Sequence, residues 1–203
     1  MTAVRMFAGS EDIEGALVRL AEYLEFAEAP PITLLVGGGS ALAIRGFAKQ
    51  ITKDVDVIAL VRENGDPRTL EKADPFPDHL TEAANKVAMD FGLPAGWINA
   101  GPASLLDFGL PSGCLERSLR MQYGARLVVC FIDRLDQIHL KLYAAVDQGG
   151  GRHLADLLSL QPSSGDLLKA AAWTMTHDPS PGFREELLSL LTQMGFEDVA
   201  AEL

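Results

Sequence analysis

The sequence predicts an α+β protein: a small mixed β-sheet flanked by helices, followed by a helical C-terminal part. Three observations carry this expectation. Apolar runs of strand length occur at residues 32–36, 55–61 and 127–132, all within the first two thirds of the chain. Stripes at helical spacing lie between them, such as Ile13, Leu17, Leu20 and Leu24. From Arg134 onward the patterns are helical only, so the expected division is a core over 1–133 and a helical part over 134–203 packed on it.

Taken in order, Ser10 is placed to cap a helix running to Phe26, which Pro30 and Pro31 close off. The strand at 32–36 meets Gly37, Gly38 and Gly39, and a short helix follows with Gly46 as its stop. Residues 50–53 lead into the strand at 55–61. Residues 64–77, with Gly65, Pro67, Pro75 and Pro77, read as a polar loop. Asp78 is placed to cap a helix to Phe91, stopped by Gly92. Residues 93–113 are rich in Gly and Pro around a short apolar piece at Trp97 and Ile98, and a short helix is expected at 115–122. After the strand at 127–132, helices are expected from Arg134 to the glycines 149–151, then at 153–160, 164–177 and 183–194. Trp97, Tyr143 and Trp173 read as packing residues.

Composition narrows the function. At 203 residues and 48% hydrophobic the chain can bury a sizeable core. No apolar run approaches the ~20 residues of a membrane span, and the first residues lack the apolar stretch of a signal peptide, which points to the cytoplasm and to no membrane partner. Cys114 and Cys130 read as reduced core thiols, and the four histidines make no zinc spacing. With 28 acids against 17 bases and a formal net charge of −11, a long nucleic-acid footprint is disfavoured.

The chemistry concentrates in residues 34–60, LLVGGGSALAIRGFAKQITKDVDVIAL. Strand side chains alternate and rise by about 3.3 Å per residue, so Asp54 and Asp56 share a side with roots roughly 7 Å apart, within reach of one divalent cation. Two carboxylates facing one way repel each other unless a cation or a solvated surface relieves them. Upstream, Gly37, Gly38 and Gly39 can present backbone N–H groups to a phosphate, or serve a tight turn. A dinucleotide fingerprint is the rival reading, but its sixth position is Leu42 and its acid opens the second strand where it should end it.

Gly39-Ser40, a gap of 13 residues (41–53), and then Asp54-Val55-Asp56 resemble the hG[GS]-x(9–13)-Dh[DE]h signature of the DNA polymerase β-like nucleotidyltransferase superfamily. More narrowly, the stretch resembles a bacterial group of the abortive-infection and minimal nucleotidyltransferase type, whose core reads GGxAL…G…RxTxDxD. Lys141, Ala144, Arg152 and Asp156-Leu157 are similar to that group's later Lys…Ala…Arg…Asp-Leu segment.

The resemblance implies a nucleotidyltransferase-like core that moves a nucleoside monophosphate from an NTP to an acceptor, which could be a protein, an RNA end or a small molecule. Asp54 and Asp56 would hold Mg²⁺ or Mn²⁺; Gly38, Gly39 and Ser40 would hold the phosphates. Thr52 falls in the matching run, and Lys49 lies beside Gln50, which stands where the group carries Arg. Lys141 is either a phosphate contact or a solvated charge, with Arg152 and Asp156 four residues apart as a helical pair. The group's setting adds a toxin or defence role and a cognate antitoxin partner. The strand at 127–132 contains no third carboxylate, which leaves Asp133 and Asp107 as candidates. The alternative is an inactive nucleotidyltransferase fold that binds a nucleotide or a protein.

Overall fold

The computed structural model describes residues 6–47, 52–62 and 68–203. It is mixed α+β, with one six-stranded sheet flanked by helices and a helical C-terminal part. The chain divides into two compact units, Met1–Asp133 and Arg134–Leu203.

In the first unit, α1 (Ser10–Phe26) buries Ile13, Leu17, Leu20 and Leu24 on one stripe. Each fully buried leucine contributes about 1.5–3 kcal/mol relative to exposure, so this stripe fixes the helix. Its cap is Gly9 rather than Ser10; Asp12 Oδ2 accepts from the Ala8 N–H instead, at 2.9 Å. The chain then enters β1 (Ile32–Gly37), buried at every position, and turns directly into α2 (Gly38–Ile44). β2 (Val55–Arg62) returns antiparallel to β1, with a register shift at Leu35/Val36 just before the turn. That direction overturns the dinucleotide reading, whose crossover requires two parallel strands.

β3 (Thr69–Lys72) pairs antiparallel with the end of β2, inside the stretch expected to be a loop. Its mostly exposed residues, polar except Leu70, carry no apolar alternation, and it is the edge of β2 that makes them a strand. α3 (Asp78–Phe91) ends at Gly92, which is left-handed at φ 63°. β4 (Ile98–Asn99) then pairs parallel with the start of β2, and a 3₁₀ turn (Gly101–Ser104) leads into α4 (Leu105–Phe108).

The helix expected at 115–122 is corrected to a single turn, α5 (Cys114–Arg117), followed by β5 (Leu119–Tyr123). Pairing with β6 (Leu127–Phe131) overrides the helical spacing of Leu115 and Leu119. β6 runs parallel to β1, giving the order β3-β2-β1-β6-β5, with β4 beside the other end of β2. Leu17, Leu20 and Leu24 of α1 and Leu80 and Val87 of α3 share one core with Leu34, Val36, Val55, Val57, Val129 and Phe131 of the strands. Cys114 and Cys130 are buried thiols, not joined in a disulfide.

The second unit comprises α6 (Arg134–Asp147), α7 (Gly151–Ser159), α8 (Ser164–Thr174), α9 (Pro181–Gln193) and α10 (Glu197–Glu202). α7 starts at Gly151, two residues earlier than expected; α8 ends three residues earlier, and α10 was not expected. Ser163 and Asp166 form a reciprocal capping box at the start of α8. Tyr143, Trp173, His177 and Phe183 form an aromatic cluster, with Trp173 and His177 centroids 4.2 Å apart.

Candidate functional site

Val55 and Val57 have no exposed surface, whereas Asp54 and Asp56 on either side of Val55 are half-buried. The alternation therefore sends the valines into the core and keeps Asp56 off it. Asp54 lies one residue before β2, where Thr52 Oγ1 donates to its backbone carbonyl at 3.1 Å.

Asp56 lies between two neighbours. On one side it is paired in register with Gly37, the last residue of β1. The next residue, Gly38, has φ 67°, and a Cβ there would fall on Asp56 Oδ2, well inside van der Waals contact. The glycine is thus required twice, by its left-handed backbone and by the carboxylate that occupies the space a side chain would need. On the other side Asp56 pairs with Asn99 of β4, whose Nδ2 donates to Asp56 Oδ1 at 3.3 Å. Asn99 Oδ1 in turn accepts from the Gly101 N–H at 2.8 Å.

A Cβ on Gly39 would come within 3.0 Å of Thr52 Oγ1, so this glycine and Thr52 are also close. Ser40 is fully buried, and its hydroxyl donates to the Gly37 carbonyl at 3.3 Å. The turn between β1 and α2 therefore gathers Gly38, Gly39, Thr52 and Asp56. Lys49 and Gln50 lie outside the described residues.

The two candidates for a third carboxylate are engaged elsewhere. Asp107 of α4 pairs with Lys72 of β3 at 2.6 Å. Asp133 accepts from Arg45 Nη2 at 2.5 Å, and Arg45 Nη1 also donates to the Phe131 carbonyl, so this pair ties the end of α2 to the end of β6. Among the described residues no group of three His, Cys, Asp or Glu side chains stands ready for a metal ion.

In the second unit the Lys141 ammonium donates to Asp156 Oδ2 at 2.5 Å, with only 15% and 11% of the two side chains exposed. Arg152 is 3.9 Å from the same oxygen and largely in solvent.

Sequence reasoning passed over Asn99. The only local signal was an asparagine ending the short apolar piece Trp97-Ile98, and its partner is 43 residues away. Among the described residues, no helix is long and apolar enough to cross a membrane. In comparisons with known proteins, no family model, no curated protein and no solved structure matches the chain.

Proposed function

We propose that this chain is a cytoplasmic, nucleotidyltransferase-like protein that takes an NTP with Mg²⁺ or Mn²⁺ at the β1–α2 turn and transfers its nucleoside monophosphate to an unidentified acceptor. The observation that carries the reading is the fit of Asp56 against Gly38: a carboxylate is set into the glycine turn where a side chain would otherwise stand. Asp54 and Asp56 offer the hard oxygen donors that Mg²⁺ prefers, and the half-buried position keeps them accessible to it.

In this reading Asp54 and Asp56 would hold the cation, which would supply charge neutralisation on the triphosphate. Gly38 and Gly39 would receive the phosphates, with Thr52 against Gly39 and the buried Ser40, bonded to the Gly37 carbonyl, fixing the turn. The acceptor's hydroxyl oxygen would bond to the α-phosphorus and release its proton to solvent, as the α–β P–O bond breaks and pyrophosphate leaves. The sequence resemblance supports this assignment and adds a role as a toxin or defence component with a cognate antitoxin.

A second reading, a nucleotide- or protein-binding module without transfer, is favoured by one set of contacts. Asp107 and Asp133 are paired with Lys72 and Arg45, and the strand beside Asp56 presents an amide, not an acid.

Thermal unfolding with each of the four NTPs, with and without Mg²⁺, tests the common part. Ligand at a hundred times its Kd adds about 2.7 kcal/mol, or roughly 5–11 °C for a chain of this length. A metal-dependent shift, lost in an Asp54→Asn, Asp56→Asn double variant, is the expected result. Transfer of label from the selected α-³²P NTP to protein, RNA or a small molecule then separates enzyme from binding module. No shift with any NTP at saturating concentration, on folded protein, overturns both nucleotide readings.

A further inference from the structure

The geometry points to Asn99 as the residue that sets the charge of this site, keeping it at two carboxylates so that the divalent cation arrives with the NTP and not before it. This rests on the nucleotide reading above. Asn99 is the in-register neighbour of Asp56 across a parallel pair, half-buried like it. Its amide has one orientation that uses both ends: Oδ1 accepts from the Gly101 N–H at 2.8 Å, and Nδ2 donates to Asp56 Oδ1 at 3.3 Å. Reversing the amide would set two N–H groups against each other at Gly101 and two oxygens against each other at Asp56.

Two consequences follow for a cation. First, the face that Asn99 turns to Asp56 is a donor, which holds the carboxylate but cannot ligate a metal. Without an NTP, the ion would find two carboxylates among the described residues and would keep water at its other positions, so bare affinity is low. The triphosphate oxygens supply the missing charge, which is the usual way Mg²⁺ is held beside one or two carboxylates. Second, an aspartate here could keep the Gly101 bond with one oxygen and aim the other at Asp56 Oδ1. Two oxygens sharing one Mg²⁺ at right angles stand about 3.0 Å apart, close to the 3.3 Å already spanned. Asn99→Asp therefore converts the site to one that captures the ion alone.

Asn99 is a positioning residue for Asp56, and its test is ion binding, not turnover. Mn²⁺ is titrated against the full chain by electron paramagnetic resonance, with and without the α,β-methylene analogue of the NTP selected by thermal shift. The natural protein is expected to bind Mn²⁺ weakly alone and well with the analogue. Asn99→Asp should bind Mn²⁺ alone at least tenfold more tightly than the natural chain. Asn99→Ala, which frees Asp56 from its holder, should lose about tenfold in Mn²⁺ affinity with the analogue present. Unfolding of each variant in chelator establishes that it is folded; should Asn99→Asp fail to fold, Asn99→Ala alone decides, and unchanged affinity there overturns the role. Capture of Mn²⁺ by the natural chain alone as tightly as by Asn99→Asp overturns the charge assignment only. No Mn²⁺ binding by the natural chain even with the analogue overturns the nucleotide reading itself.

Discussion

Gly38 and Asp56 share one space: the carboxylate of Asp56 lies where the first side-chain carbon of any other residue at 38 would have to be. The backbone there is left-handed at φ 67°, so Gly38→Ala meets two separate costs. The conformational part is about 1–2 kcal/mol, and the steric part is relieved when Asp56 swings away. Urea unfolding should show Gly38→Ala destabilised by at least the conformational amount, with the metal-dependent NTP shift lost. In Gly38→Ala combined with Asp56→Ala the steric part disappears, so the double variant should be less destabilised than the sum of the singles. Strict additivity would show that the two residues do not compete for this space.

Lys141 and Asp156 form a pair that solvent barely reaches. Removing the lysine leaves a buried carboxylate without its main partner, since Arg152 is 3.9 Å away and solvated. Lys141→Met should therefore cost roughly 3 kcal/mol in urea unfolding, and Lys141→Met with Asp156→Leu should recover much of it. The NTP-dependent thermal shift should persist in the double variant. A double variant no more stable than Lys141→Met would show that the cost is not that of a stranded carboxylate.

Trp97 is 1% exposed, its indole N–H donates to the Ala84 carbonyl at 2.9 Å, and its ring meets Phe7 edge-on at 6.0 Å. It closes the loop between α3 and β4, the strand that presents Asn99. Trp97→Phe removes the donor and part of the volume, leaving the Ala84 carbonyl with only its helical bond from the Ala88 N–H. Chemical denaturation should give a loss of roughly 2 kcal/mol. If the loosening reaches β4, Mn²⁺ affinity with the nucleotide analogue falls as well, as it does in Asn99→Ala.

The parts of this fold that the sequence announced are those whose side chains repeat. α1, β1, β2, α3 and β6 are buried stripes or runs, and hydrophobic burial both writes the pattern and holds the element. β3 and β5 escaped because edge strands carry little of it: Thr69–Lys72 is mostly exposed, and Leu119–Tyr123 buries only Tyr123. Their strand character comes from hydrogen bonding to a partner already in place. The same distinction divides the candidate site. Gly38 and Asp56 stand out locally, one as a glycine among glycines and the other by alternating with Val55 and Val57. Asn99 and the Arg45–Asp133 tie depend on contacts 43 and 88 residues apart, which no local spacing encodes.

Asp166 gives the second unit a defined response to acid. Burial by itself would raise its carboxyl, but the Ser163 backbone N–H, the Ser163 hydroxyl and the Arg134 guanidinium together outweigh that and hold it below the ordinary carboxylate range. A group depressed on folding contributes stability that is fully present above its unfolded value, about 3.9, and disappears as pH falls through the lower folded value. The Asp166 contribution is therefore constant at neutral pH and is lost only below about pH 4. Asp166→Asn removes the ion pair with Arg134, 3.1 Å away, and weakens the capping box of α8. It should cost about 1 kcal/mol at pH 7, and the difference from the natural protein should shrink as unfolding is repeated at pH 5, 4 and 3. A difference that stays constant across that series would mean that the carboxylate's charge contributes nothing and the side chain acts through shape alone.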